Sequence, residues 1–344
     1  MKYSPGCLEL IDQRQLPTQE IWVRATTLEE VAIAIETMVV RGAPAIGCAA
    51  GWGLALDAHL NHVNGTANDL WNAYKTRFLK NVDRLARTRP TAVNLFYALK
   101  RFQSLGEEIP NDTSMSKVAQ RFLDLAQFLD DDDVRTCKSI GEHGASIFKS
   151  PVSGLTHCNT GSLATAGYGT ALGIIRSMHS QKKLKSIFVD ETRPYFQGAR
   201  LTAFELLKDN IPYTLISDNM AGYAMQKGLV DFVVIGADRI ANNGDTANKI
   251  GSYSLAVLCK YHQIPFIVAA PMSTVDIETL DGSKIPVEER PRVELLEVNG
   301  YRVAPSESKV WNPSFDVTPA SLISYIVTEK GVHKPPFNFS QMRF

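Results

Sequence analysis

The sequence predicts an α/β protein: a mostly parallel sheet with helices on both faces, preceded by a smaller, mainly helical N-terminal domain. Three observations predict it. Apolar residues recur at helical spacing through the first third of the chain. Beyond about residue 150, short apolar runs alternate with helical stretches, and strand and helix in turn imply parallel strands joined by crossovers. Between these regions, the acidic run Asp130 to Asp133 marks a join. The N-terminal domain is placed at 1–128 and the α/β domain at 129–344, and 344 residues are enough for two cores.

The elements follow in order. TTLEEVAIAIETMVV has a Thr start signal and helical spacing, and it stops at Arg41-Gly42. Pro44 opens a second helix, AIGCAAGWGLALDAH, whose small residues allow close packing. Further helices are predicted in NDLWNAYKTRFLKNVDRLAR, TAVNLFYALKRFQSL and MSKVAQRFLDLAQFL. The acidic run after the last of these is read as a solvated junction that caps the next helix.

The strands are GLTHC, SIFVDE, YTLIS, FVVIGAD and PFIVAAP. The helices between them are ATAGYGTALGIIRSM, GARLTAFELLKDN, NMAGYAMQKG and SYSLAVLCKYHQ. In such sheets ligands bind beyond the carboxyl ends of the strands. That rule points at Cys158, Asp190-Glu191, Ser217-Asp218, Asp238 and Pro271. The tail EKGVHKPPFNFSQMRF is expected to pack loosely.

Composition excludes several functions. Lys plus Arg equals Asp plus Glu at 36 each, so no global field draws in nucleic acid or an acidic membrane. The start, MKYSPGCLEL, lacks the layout of a signal peptide, and no apolar run is long enough to span a bilayer. The five cysteines are far apart and never form a CxxC pair, which fits a reducing cytoplasm better than a disulfide framework. The seven histidines show no metal-ligand spacing, and no protein-bound metal is expected. The GxGxxG fingerprint, the GxxxxGKS/T loop and the GxSxG elbow are all missing. GYGTALG carries glycines at the wrong spacing, within a predicted helix, and is read as packing.

Candidate chemistry concentrates at a few residues. Cys158 ends a strand just before a predicted helix N-terminus, whose dipole would favour a thiolate. The alternative is a small buried hydrophobe, the usual state of a free cysteine, and Cys7, Cys48, Cys137 and Cys259 fit it. His157 is adjacent, but neighbours on a strand point to opposite faces, so it is read as structural. Asp238 ends another strand, and either caps the next turn, pairs with Arg239, or does chemistry beside the polar loop that follows. Asn248-Lys249 is placed at a helix start, where Lys249 and backbone N–H groups together would hold an anion. RGAPAIG offers Arg41 and the Gly42-Ala43 amides before Pro44, and TRPTAVNL repeats the arrangement with Arg89 and Pro90. Three cations beside helix starts suit a phosphate.

The runs LELIDQRQLP, RGAPAIG, RPTAVNL, HCNTGSLATAGYGTAL, DETRPYFQGARLTAFEL, IGADRIANNGDTANKIG, PFIVAAPMST, IPVEER and NPSFDVTPASLISYIVTEKG span nearly the whole chain. They resemble the methylthioribose-1-phosphate isomerases, aldose–ketose isomerases of methionine salvage. The resemblance implies a Rossmann-like C-terminal domain, a sugar-phosphate substrate, a homodimer, and no cofactor or metal. It carries catalytic roles onto Cys158 and Asp238. It carries substrate-binding roles onto Arg41, Gly42, Ala43, Arg89, Gln197, Asn248 and Lys249. The same superfamily holds ribose-1,5-bisphosphate isomerases, 5-deoxyribose-1-phosphate isomerases and regulatory subunits of a translation-initiation exchange factor, and these stand as alternatives.

The implied chemistry is demanding. A phosphate on the anomeric carbon locks the furanose ring, so the sugar cannot open to a free aldehyde. The ring C–O bond must break while hydrogen moves from C2 to C1, as a proton through an enol or as hydride. Asp238 is expected to protonate the ring oxygen, which requires an apolar setting that keeps its carboxyl neutral. Cys158 is expected to act at C1–C2.

Overall fold

The computed structural model describes residues 1–66, 69–90, 92–298 and 300–342. It divides into two compact units, Met1–Thr136 with Ser162–Gly169, and Cys137–Gly161 with Thr170–Phe344.

The first unit opens with a feature that the helical periodicity hides. Strands β1 (Lys2–Ser4), β2 (Cys7–Ile11) and β3 (Trp22–Ala25) form an antiparallel sheet. Among the described residues, helices α1 (Leu28–Glu36), α2 (Ala43–Asn64), α3 (Trp71–Ala86), α4 (Val93–Glu108) and α5 (Met115–Ser146) follow, the last ten residues of α5 being counted in the second unit. Thr27 and Glu30 close the start of α1 as a reciprocal capping box. The small residues of α2 let it run through the middle of the unit, buried at every residue from Ala45 to Ala58. One buried carboxylate there, Asp57, is satisfied by Tyr74, Arg77 and Asn81 of α3.

The acidic run does not cap a new helix. It lies inside α5, whose 32 residues continue well past it. Each carboxylate finds a partner that leaves the helical backbone intact. Asp130 accepts from Trp52 Nε1, Asp131 from Gln127 and Asp132 from Arg135, while Asp133 accepts the Ala166 N–H at 2.7 Å.

The second unit is built on a seven-stranded sheet. In chain order its elements are β4 (Val152–Thr156), α6 (Ala171–Ser180), β5 (Leu184–Asp190), α7 (Ala203–Lys208), β6 (Tyr213–Ile216), α8 (Ala221–Gln226) and β7 (Phe232–Ile235). Then come β8 (Arg239–Ala241), β9 (Thr246–Lys249), α9 (Ser252–His262), β10 (Phe266–Ala269) and β11 (Val275–Asp276). A short helix α10 (Val293–Leu296), strands β12 (Glu297–Val298), β13 (Tyr301–Arg302), β14 (Phe315–Thr318), β15 (Tyr325–Thr328) and β16 (Gly331–His333) complete it. The spatial order is β16-β15-β10-β7-β4-β5-β6, parallel throughout except at β16. From β4 the chain builds outward through β5 and β6, then returns to build β7, β10 and β15 on the other side. That is the Rossmann strand order, with its switch point between β4 and β7.

Both faces are covered, as a parallel sheet requires. Along β7, Phe232 and Val234 join the cluster with α6, while Val233 and Ile235 join the cluster with α8 and α9. A second sheet of four short strands, β11-β8-β9-β14, stands beyond β7. The tail is not loose: β16 pairs with β15, and Phe337 and Phe339 are buried in the α8–α9 core.

Candidate active site

β4 and β7 are hydrogen-bonded neighbours, with Thr156 in register with Val234. Cys158 follows the end of β4 and Asp238 follows the end of β7. Both therefore leave the sheet at the switch point, where the diverging chain paths of an open α/β sheet leave a crevice.

Cys158 is held by hydroxyls rather than by a helix. The helix does not start at once: a single 3₁₀ turn, Ser162–Ala164, comes first, and α6 opens only at Ala171. The helix-dipole argument for Cys158 therefore fails. Instead its N–H donates to Thr192 Oγ1 at 2.8 Å, and its carbonyl accepts from Thr202 Oγ1 at 2.6 Å. The residue is buried, with φ 65°. Thr192, at φ 64°, and Phe196, at φ 57°, share this left-handed backbone. A β-branched residue there is a steric outlier that persists only where its surroundings hold it. Here the Asp218 carboxylate accepts the N–H groups of Thr192 and Arg193, each at 2.7 Å, and Thr192 Oγ1 donates to the Asp190 carbonyl at 3.1 Å.

Beneath this loop, His157 Nδ1 lies 2.9 Å from Asp190 Oδ2 and Nε2 lies 2.9 Å from the Ile250 carbonyl. Both side chains are buried. Burial works against a charged imidazole, but Asp190 beside it, with Asp218 and the Ile250 carbonyl, reverses the effect and raises the His157 pKa. Burial likewise raises Asp190, with His157 opposing. The geometry, with Nδ1 2.9 Å from Oδ2, places a hydrogen bond between the two groups. His157, Asp190 and Asp218 also present ligand-type atoms within 4.8 Å of one another. Both imidazole nitrogens already have partners, so we read the group as a hydrogen-bonded cluster.

Asp238 is half-buried, and its N–H donates to the Ala247 carbonyl at 2.9 Å. That bond joins it to β9, which ends in Asn248 and Lys249. These two residues close a strand instead of opening a helix. Asn248 is buried and donates to Ser252 Oγ at 2.8 Å. Lys249 Nζ donates to the Ser314 carbonyl at 3.0 Å and lies over the Phe315 ring. Helix α9 starts after Gly251, and its N-terminus is already occupied: Asp316 accepts the Gly251 N–H at 2.7 Å and the Tyr253 N–H at 3.0 Å. Burial raises the Asp316 pKa despite these bonds.

Gln197 lies beyond β5, directly before the single π turn Gly198–Thr202. It is 6% exposed, and its Oε1 is buried with no hydrogen-bond partner among the described residues. An acceptor left in this state costs free energy until a donor meets it.

In the first unit, Gly42 takes the N-cap position of α2, followed by Ala43 and Pro44. Its φ is 96°, and a Cβ there would lie 2.5 Å from Ala164 Cα, so only glycine fits. Arg41 is buried just ahead of it. Arg89 and Pro90 precede α4 in a turn and do not open the helix, which begins at Val93; Thr91 lies outside the described residues. GYGTALG is likewise mostly turn, since only its last three residues are in α6.

The sequence reading missed Thr192, Thr202 and Asp218 as the grip on Cys158. Only Asp218 carried a signal, its place at a strand end. Among the other cysteines, burial pushes Cys259 up to about 12, as befits an inert core thiol.

The strand order, and the thiol and carboxyl at its switch point, define a Rossmann-like protein with a small-molecule site. The Initiation factor 2 subunit family matches residues 39–335. The chain is 52% identical, over 94% of its length and 92% of the relative's, to the methylthioribose-1-phosphate isomerase of Geobacter sp. (strain M21). Its fold matches the crystal structure of 5-methylthioribose 1-phosphate isomerase from Pyrococcus horikoshii OT3 with a TM-score of 0.89, at 44% identity, covering 98% of this chain and 92% of that one. It also matches the translation initiation factor eIF-2B, subunit delta, from A. fulgidus, with a TM-score of 0.82, at 40% identity, covering 97% of each. The chain belongs to the Initiation factor 2 subunit family, among its methylthioribose-1-phosphate isomerases.

Proposed function

We infer that this chain is an aldose–ketose isomerase that converts S-methyl-5-thio-α-D-ribose 1-phosphate to S-methyl-5-thio-D-ribulose 1-phosphate, a step of methionine salvage. The observation that carries this reading is the placement of Cys158 and Asp238 after adjacent strands at the switch point. Asp238 gives a proton to the ring oxygen as the C1–O bond breaks. Hydrogen then moves from C2 to C1, with Cys158 supporting the transfer, and the proton lost by the C2 hydroxyl as the ketone forms returns, directly or through solvent, to the Asp238 carboxylate. The orphan Oε1 of Gln197 accepts a sugar hydroxyl. In the second unit Asn248 and Lys249 contact the sugar and its phosphate; in the first, Arg41, the Gly42-Ala43 amides and Arg89 are the candidates for phosphate. No metal or cofactor takes part in this scheme.

We place the protein in the cytoplasm, without a nucleic-acid partner. Among the described residues no helix is long and apolar enough to cross a membrane. We also propose a homodimer. Helix α9 exposes Tyr253, Val257 and Tyr261 at four-residue spacing, an apolar stripe that none of the described residues covers.

Turnover of three 1-phosphates, carrying methylthio, hydrogen or phosphate at C5, tests the function directly. The methylthio sugar should be favoured, and Asp238→Asn should lose about 10²–10⁴-fold. Preference for another C5 group would move the protein to a sister activity. No turnover of any would favour a non-catalytic role, the reading that likeness to the initiation-factor subunit keeps open.

A further inference from the structure

His157 stands between the loop that carries Cys158 and the turn that follows Lys249. It precedes Cys158 directly, and its Nε2 reaches the carbonyl of Ile250, the residue after Lys249. A carbonyl oxygen only accepts, so Nε2 carries hydrogen in either protonation state of the His157–Asp190 pair. The other nitrogen reaches Asp190 Oδ2, and from Asp190 the bonds continue back to the cysteine. The Asp190 carbonyl accepts the Thr192 hydroxyl, and Thr192 Oγ1 in turn accepts the Cys158 N–H. One ring thus links two loops that lie 93 residues apart in the chain.

Packing reinforces the bond on the Ile250 side. Gly251 has φ 107°, and a Cβ on it would lie 2.9 Å from His157 Cε1. Asp316 holds the Gly251 N–H from another strand. The turn after Lys249 is therefore fixed between the imidazole and a carboxylate.

We propose that His157 is a positioning residue of the isomerase, which holds the turn behind Asn248 and Lys249 against the loop that carries Cys158. The inference rests on the isomerase reading of the site. It assigns separate jobs to the two nitrogens: Nε2 serves the substrate-binding turn, and Nδ1 serves the cysteine loop through Asp190 and Thr192. A histidine that merely fills the core would have no such division.

Two substitutions separate the jobs, because an asparagine amide reaches the position of Nδ1 and a glutamine amide that of Nε2. His157→Asn and His157→Gln in the full chain would be compared with the parent by steady-state kinetics on the methylthio sugar phosphate and by amide hydrogen exchange. His157→Asn should raise KM about tenfold with kcat within threefold, and speed exchange at residues 248–253. His157→Gln should lower kcat about tenfold with KM within threefold, and speed exchange at residues 157–161. Parent-like kinetics in both, or the same loss in both, would overturn the proposal. If neither variant folds, the nitrogen NMR signal of His157 in the parent decides: a protonated Nε2 from pH 6 to 9 is required, and a bare Nε2 refutes the bridge. A parent without isomerase activity would remove the functional reading, while the exchange data would still report whether the ring ties the two loops.

Discussion

Thr202→Val tests whether the grip on Cys158 serves turnover. The hydroxyl donates to the Cys158 carbonyl at 2.6 Å and accepts from Asn159 Nδ2 at 3.2 Å. Valine matches the shape of threonine but replaces the hydroxyl with a methyl group. A buried carbonyl left unsatisfied costs about 1–3 kcal/mol. Asn159 keeps a second partner, Glu205 Oε1 at 2.9 Å, so the loss falls mainly on the cysteine. Cys158 is also in left-handed backbone, which its surroundings must hold in place. If the whole penalty depopulates the competent loop, kcat/KM falls between about fivefold and about 150-fold. Steady-state rates on the methylthio sugar phosphate, with thermal unfolding run alongside, would measure it. A variant whose kcat/KM stays within twofold of the parent, whatever its melting temperature, would refute the argument, because the loop would then be held without this bond.

Gly42→Ala should raise KM and lower the melting temperature together, since its Cβ meets Ala164 at the turn assigned to phosphate; an unchanged KM would separate that turn from substrate binding. The pH dependence of stability has a defined sign at His157. Its folded pKa is raised above the ordinary value of about 6.5, so its contribution is whole below that pH and is lost as pH rises through the folded value. The melting temperature of the parent should therefore fall more steeply above pH 6.5 than that of His157→Gln, and parallel curves would contradict the shift. Val257→Glu, in the middle of the exposed α9 stripe, should convert a dimer to a monomer in light scattering; a monomeric parent, or a dimeric variant, would exclude that face.

The central strands were legible because each is a short apolar run bounded by turn residues, as in FVVI and FIVA. Their carboxyl ends, and with them Cys158, Asp190, Asp218 and Asp238, followed at once. Other features depend on partners distant in sequence. The strands of the four-stranded sheet have two to four residues each, too few to show a period. The N-terminal sheet is missed because its strands, three to five residues long, are paired only through contacts that the helical spacing downstream does not reveal. The run Asp130 to Asp133 in α5 looks like a break until Trp52 and the Ala166 amide are seen to meet two of its acids. Cys158 seemed to need a helix because a strand end followed by small residues is the usual prelude to one. The chain instead makes a long turn, held by hydroxyls from residues 34 and 44 positions away.

That substitution of hydroxyls for a helix has a counterpart at Lys249. There a helix N-terminus is expected to supply N–H groups to an anion, but Asp316 takes the Gly251 and Tyr253 N–H groups. A carboxylate at that end is favourable in its own right, since it meets the positive pole of α9. A phosphate would have to displace it to use the same groups. The Lys249 ammonium itself is oriented by the Ser314 carbonyl and the Phe315 ring. Asp316 belongs to the same strand as Phe315, directly after Ser314 and Phe315. One strand of the small sheet thus closes the helix terminus and aims the cation.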